Sequence, residues 1–312
     1  MTVEACAEDT KGQTCYICTQ ALHWKTKEGL VRGCACRGTA GFVHVSCLAE
    51  QAKILCDEAE ENNLDIKAKN ERFRRWQECS LCEQTYHGGV KCALGWACWK
   101  TYLGRPETDE ILLFAMGVLG SALSAAKQYE DALSVREASL ATRRRIGAPE
   151  ESMLVALGSL ANSYHQLGRL EETNRILGDV YSRHCRLSGE DGESSLASAY
   201  NYANSFSELG RFEEARSLSR KAIPVTRRVL GKNHELTLRM KWIYACALYK
   251  KRGATLDERR EAVTTLEETA RTAQRVLGGA HPTAAGIEKA LRNARDVLRA
   301  QEILQPRTFS RG

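Results

Sequence analysis

From residue 108 onward, apolar side chains recur at helical spacing on both halves of a repeating unit, which predicts pairs of helices joined by tight turns. Self-comparison gives a period of 42 residues: "LGSLANSYHQLGRLEE" (157–172) aligns with "AYNYANSFSELGRFEE" (199–214). Ala161, Ala203 and Ala245 stand 42 apart, with Gly120 one residue off the register. A small side chain there lets the partner helix cross at close range. Three positions on, Leu123, Tyr164, Phe206 and Leu248 each supply a large side chain to fill the groove so made. Turns containing glycine close the units, as in "RRVLGKNHE" (227–235) and "QRVLGGAHP" (274–282). The pattern predicts four helix–turn–helix units at about 108–149, 150–192, 193–234 and 235–281, then a capping helix that ends near residue 304. The fourth unit is five residues longer, and the excess is assigned to its inter-helix turn, "KKRGATLDERRE". Pro224, in the second helix of the third unit, is expected to bend it.

The first hundred residues have a different pattern. Large apolar residues are few, and "ILCDEAEENNLDIKAKNERF" reads as a highly charged helical insert at about 50–75. A connecting segment, 89–107, holds one helix from about Val90 to Leu103, stopped by Gly104 and Pro106, and the domain boundary is placed there. Residues 1–9 read as a disordered N-terminus and 305–312 as a frayed tail. The expected fold is mostly α: a small finger over 10–88 followed by an α-solenoid over 108–304. The most apolar run, Ile111 to Ala126, is sixteen residues long, short of the roughly 20 that span a bilayer. It reads as a buried, close-packed helix, and no membrane span is expected.

Charge adds little. A net +6 in 312 residues with the signs interspersed does not argue for nucleic acid. Cysteine changes the picture. Nine of the thirteen lie in the first 82 residues, with no apolar signal-peptide core ahead of them. That distribution indicates a localised site in a reducing compartment, cytoplasmic or nuclear.

Eight potential ligands arrive as four close pairs: Cys15-x2-Cys18, Cys34-x1-Cys36, His44-x2-Cys47 and Cys79-x2-Cys82. A tight turn can aim two thiolates, or a thiolate and an imidazole, at one tetrahedral ion, and two pairs complete the coordination. Four pairs therefore make two closed zinc sites. A closed site leaves no position for water, so both Zn2+ ions are expected to be structural, holding together a segment too poor in core to fold alone. Cys6 and Cys56 fall outside the pairing, and His87, Cys92 and Cys98 are read as structural.

The order of four cysteines, one histidine and three cysteines occurs in PHD fingers and in the RING-CH (RING-variant) fingers of the membrane-associated RING-CH ubiquitin ligases. The one-residue gap between Cys34 and Cys36, and the seven residues before His44, resemble RING-CH. So do "CYIC", "GTAGFVHVSCL" and Trp76 ahead of "CSLCEQTY". The resemblance implies a cross-brace, with Cys15, Cys18, His44 and Cys47 on one zinc and Cys34, Cys36, Cys79 and Cys82 on the other. It also implies that the finger contributes no nucleophile of its own and holds a ubiquitin-charged conjugating enzyme, with Ile17 and Trp76 as contact residues. Two features depart from the family's pattern: the stretch from Cys47 to Cys79 is longer than usual, and Glu83 stands where many active ligases carry a basic side chain.

The repeats resemble the 42-residue tetratricopeptide repeats of kinesin light chains, with "LG" and "G-x-x-H-P" at matching offsets. That resemblance implies a concave face of first helices that holds an extended protein or peptide partner. Asn162, His165, Tyr200, Asn204, Ser207, Trp242 and Tyr249 are the candidates on it. Together the two halves suggest a ubiquitin-protein ligase of RING-CH type whose repeats select the substrate. The alternatives are a non-catalytic adaptor with a structural finger and, with poorer spacing, a PHD-like histone reader.

Overall fold

The computed structural model describes residues 9–304. Most of the expected disordered N-terminus, Cys6 within it, and the expected frayed tail lie outside those residues. Among the described residues there are twelve α-helices and no strand; two isolated β-bridges, Val31 to Val43 and Glu78 to Thr85, pin the finger's loops. The chain divides into two compact units, and the division falls between Leu167 and Gly168.

The first unit opens with the loops of the finger and continues through α1 (Val45–Glu61), α2 (Ile66–Phe73), α3 (Gly88–Tyr102), α4 (Glu110–Ala125), α5 (Tyr129–Arg145) and α6 (Glu150–Gln166). The helix ends follow local chemistry. The Asp65 carboxylate accepts the Ala68 N–H at the start of α2, and Asp109 accepts the Ile111 N–H at the start of α4, each filling an orphan donor of a first turn. Helix α3 stops at Leu103, which is extended, followed by Gly104 at φ 95° and Pro106.

Helix α3 is buried from two sides. Val90 and Leu94 belong to the finger's core with Leu30, Val31, Phe42, Leu48 and Tyr86. Cys98 and Tyr102 belong to a second core with Phe73, Trp76 and the α4 residues Ile111, Ala115 and Val118. The division into compact units falls beyond Gly104 and Pro106 because α3 carries only two charges, Lys91 and Lys100, and a helix so apolar is stable only between two surfaces. The finger and the first helix pair share one compact unit.

The second unit holds α7 (Leu170–Ser188), α8 (Glu193–Glu208), α9 (Phe212–Val229), α10 (Glu235–Lys250), α11 (Leu256–Leu277) and α12 (Pro282–Leu304). Consecutive helices pack as pairs, and α10 also touches α8 and α12, so first helices stack on first helices. The expected small positions are where neighbours come closest: Ala203 and Ala245 are fully buried, with Phe206 and Leu248 beside them in the core. Pro224 is exposed within α9, which is helical throughout. The longer fourth unit is distributed differently from expectation. Its turn, 251–255, has five residues against three in 209–211, α11 has 22 against the 18 of α9, and the closing turn 278–281 is one residue shorter than 230–234. Among the described residues no helix is long and apolar enough to cross a membrane.

Candidate metal centres

Two loops of the finger have the same hydrogen bonds, 64 residues apart. In the first, the Cys15 N–H donates to Gln20 O (3.0 Å), the Thr19 N–H to Cys15 O (2.8 Å) and the Ile17 N–H to Cys15 Sγ (3.4 Å). In the second, the Cys79 N–H donates to Gln84 O (3.0 Å), the Glu83 N–H to Cys79 O (3.0 Å) and the Leu81 N–H to Cys79 Sγ (3.4 Å). Thr19 and Glu83 both take positive φ, 62° and 56°, to close these turns. Each loop thus aims its two thiols to one side and presents one apolar residue, Ile17 or Leu81, between them.

The other two pairs complete the sets. His44 is the N-cap of α1 and Cys47 lies in its first turn, which brings imidazole and thiol together. Cys34 and Cys36 sit on a loop that Arg32 ties down by donating to Cys36 O (3.0 Å). The ligand atoms of Cys15, Cys18, His44 and Cys47 all lie within 4.8 Å of one another, as do those of Cys34, Cys36, Cys79 and Cys82. This interleaved grouping is the expected cross-brace.

The spacing inside each set fits zinc. Tetrahedral bonds of about 2.3 Å to sulfur put two thiolates roughly 3.8 Å apart, and Cys36 Sγ and Cys79 Sγ are 3.7 Å apart. His44 Nδ1 stands 3.3 Å from Cys18 Sγ and 3.6 Å from Cys47 Sγ. Its other nitrogen, Nε2, is 3.3 Å from Ala21 O, a donor contact that leaves the Nδ1 lone pair for a metal. The electrostatics agree. Burial and the neighbouring cysteines push the Cys36 and Cys47 thiols up, whereas the Gln84 N–H pulls Cys82 down to about 7. Clustered thiols that resist ionising together are a donor set that a dication satisfies. With four protein ligands per ion, both centres are structural and neither offers a site for water.

Cys56 and Cys98 are buried in the core shared with α4, and Cys92 is half-buried with its thiol 3.9 Å from Gln128 Oε1. His87 is the exposed N-cap residue of α3. Among the described residues these join neither cluster.

The expected contact residues part company. Ile17 is half-buried at the surface of the first loop. Trp76 is 1% exposed and packed in the core with Tyr102. Leu81, 54% exposed, was missed by the sequence reading, although its position between Cys79 and Cys82 repeats that of Ile17 between Cys15 and Cys18. Glu83 is exposed beside it.

On the repeats, five candidates come together. Tyr200, Asn204, Ser207, Trp242 and Tyr249 line one cavity of about 350 Å³ on the first-helix face of the second unit. The Arg239 guanidinium lies 4.4 Å from the Tyr200 ring centre, and the Trp242 indole lies against Gly286. Asn204 Nδ2 donates to Glu208 Oε1 (3.0 Å), leaving its carbonyl oxygen to accept a hydrogen bond. Gly286, Lys289 and Asn293 of α12 also line this cavity, so the capping helix is a wall of it as well as a lid on the core. Asn162 and His165 are exposed on α6, in the first unit.

Comparison with known proteins agrees with both halves. Residues 15–82 match the model of the RING-variant domain, and residues 153–192 and 195–235 match a tetratricopeptide repeat model. No curated protein sequence matches the chain. Among solved structures, a kinesin light chain protein of nearly identical TPR-like repeats from Podosopora anserina is similar at 19% identity with a TM-score of 0.51, over 74% of this chain and 97% of that one. BtubC (BKLC) from P. vanneervenii is similar at 13% identity with a TM-score of 0.45, over 86% of this chain and 94% of that one. At such identities the first likeness establishes the fold alone. The chain carries a RING-variant finger able to hold two zinc ions, followed by tetratricopeptide-type repeats.

Proposed function

We propose that the protein is a RING-CH-type ubiquitin-protein ligase acting in the cytoplasm or nucleus, with the finger recruiting a ubiquitin-charged conjugating enzyme and the repeats binding the substrate. The observation that carries this reading is the pair of matched loops, each closed on a zinc site and each presenting one apolar residue, Ile17 or Leu81. Two rigid apolar points set by metal geometry suit recognition of a folded partner, because little side-chain freedom is lost on binding. Both metal sites are closed, so the finger does no chemistry of its own; it would position the enzyme's thioester for attack by a substrate lysine. The groove of Tyr200, Trp242 and Tyr249, with amides at Asn204 and Asn293, suits an extended peptide: aromatic walls bury side chains and amides pair with its backbone.

A second reading, a non-catalytic adaptor, draws on Glu83 and on the burial of Trp76, which withdraws one expected contact. Purified zinc-loaded protein, activating enzyme, a panel of conjugating enzymes, ubiquitin and ATP separate the two. The ligase reading expects ubiquitin chains with at least one conjugating enzyme, reduced about tenfold or more by Ile17→Ala or Leu81→Ala with zinc content unchanged. No chains with any conjugating enzyme would leave the adaptor.

A further inference from the structure

The second metal centre and the first repeat are joined by close packing on opposite sides of α3. Gly33 immediately precedes the ligand Cys34, and its carbonyl accepts the His87 N–H (3.0 Å) where α3 begins. A Cβ on Gly33 would lie 2.5 Å from the Val90 Cβ, so this loop lies flat on the first turn of α3 with no space between them. Leu94, one turn further, is fully buried in the finger's core. The next residue, Gly95, faces the other way: a Cβ there would lie 2.4 Å from the Ala122 Cβ of α4. Trp99 then packs against Leu119 and Leu123 of α4. One wall of α3 is therefore the loop that carries the candidate ligands Cys34 and Cys36, and the opposite wall is the apolar face of the first repeat.

We propose that the second metal centre is a latch on the first repeat. While Cys34, Cys36, Cys79 and Cys82 hold zinc, the 33–36 loop clamps α3 over α4. When the metal is withdrawn, the loop releases α3, and Leu119, Ala122 and Leu123 of α4 are uncovered. The opening is confined to the first unit, because the second has its own core, in which Leu238, Leu266 and Ile287 are fully buried among α10, α11 and α12. The inference rests on the metal sites and the packing, and stands whether or not the finger is a ligase. Its consequence is a metal-sensitive apolar surface: loss of zinc changes what the repeat region exposes as well as what the finger binds.

Hydrogen exchange of the full chain, read by mass spectrometry in reducing buffer before and after a zinc chelator, tests the latch. Peptides from α3 and α4 should exchange roughly tenfold faster or more after chelation, while peptides from α10 and α11 keep their protection. The double variant Cys34→Ser with Cys36→Ser, retaining one zinc by elemental analysis, should reproduce that pattern. Retained protection of α4 after chelation, or in the double variant, would overturn the proposal. So would loss of protection in α10 and α11 together with α4, since the event would then be global unfolding.

Discussion

The indole of Trp76 meets the ring of Tyr102 nearly edge-on, with centroids 5.9 Å apart and planes at 75°, at the junction between the finger and the first repeat. Phe73 is part of the same joint, 4.8 Å from Phe114 of α4. Edge-to-face contacts of this kind add to a large burial of apolar surface. Trp76→Ala is therefore expected to destabilise the first unit by about 3–5 kcal/mol, and Trp76→Phe by much less. Chemical denaturation of the zinc-loaded chain measures both. A Trp76→Ala protein of unchanged stability would return the residue to the partner surface.

Arg105 makes a polar clasp over the same joint. It donates to both carboxylate oxygens of Glu60 at 3.0 and 2.9 Å and to Asp109 at 3.0 Å, and its guanidinium stacks 5.1 Å from the Tyr102 ring centre. The three side chains are about one-quarter to one-third exposed, so solvent screens the pairing. Arg105→Ala should cost about 1 kcal/mol, and Arg105→Lys should recover only part of it because a lysine cannot reach both oxygens in one plane. A thermal melt in low and in high salt would show the difference shrinking with salt.

Two zinc ions per chain are expected by elemental analysis, and one after Cys34→Ser with Cys36→Ser. Binding requires thiolates and a neutral imidazole, so protons compete with the metal. Burial and the clustered sulfurs push the Cys36 and Cys47 thiols up, which means protons are displaced on loading even at neutral pH. The sign is then set: zinc is held at neutral and higher pH and released as pH falls. A colorimetric zinc indicator followed through an acid titration should show two equivalents appearing; an unchanged signal down to acid pH would contradict the assignment of the ligands.

Gly286→Ala probes the groove on the repeats. A Cβ at that position would lie 2.4 Å from the Trp242 Cη2, so the indole must move off α12 and into the cavity. The strain is expected to cost about 1–3 kcal/mol. Peptides selected from a library on the unsubstituted chain should bind the variant at least several-fold more weakly, while its zinc content stays the same. Equal peptide binding would place the partner elsewhere on the repeats.

Much of this was legible in the residues themselves. The 42-residue period predicted the helix pairs because a helix that must cross its neighbour closely needs a small residue at a fixed place, and Ala203 and Ala245 mark it. The eight metal ligands were readable for a similar reason: a turn of one or two intervening residues lets a pair of side chains reach one tetrahedral ion. Leu81 was readable in principle, since its loop repeats that of Ile17, but a symmetry between two pairs of cysteines becomes visible only when each is considered with its partner.

The order of residues thus carried the inventory: ligands for two zinc sites, a series of paired helices, and the register of the repeats. All of these are set by interactions among residues close along the chain or by the coordination of one ion. Which of those parts share a surface was left to long-range packing. Packing buried Trp76, joined the finger to the first repeat through α3, and made α12 a wall of the groove around Trp242. The physical reason is that an apolar residue carries no label for the surface that will cover it. Burial is non-directional, and nothing in the order of residues says that Trp76 will pack against Tyr102.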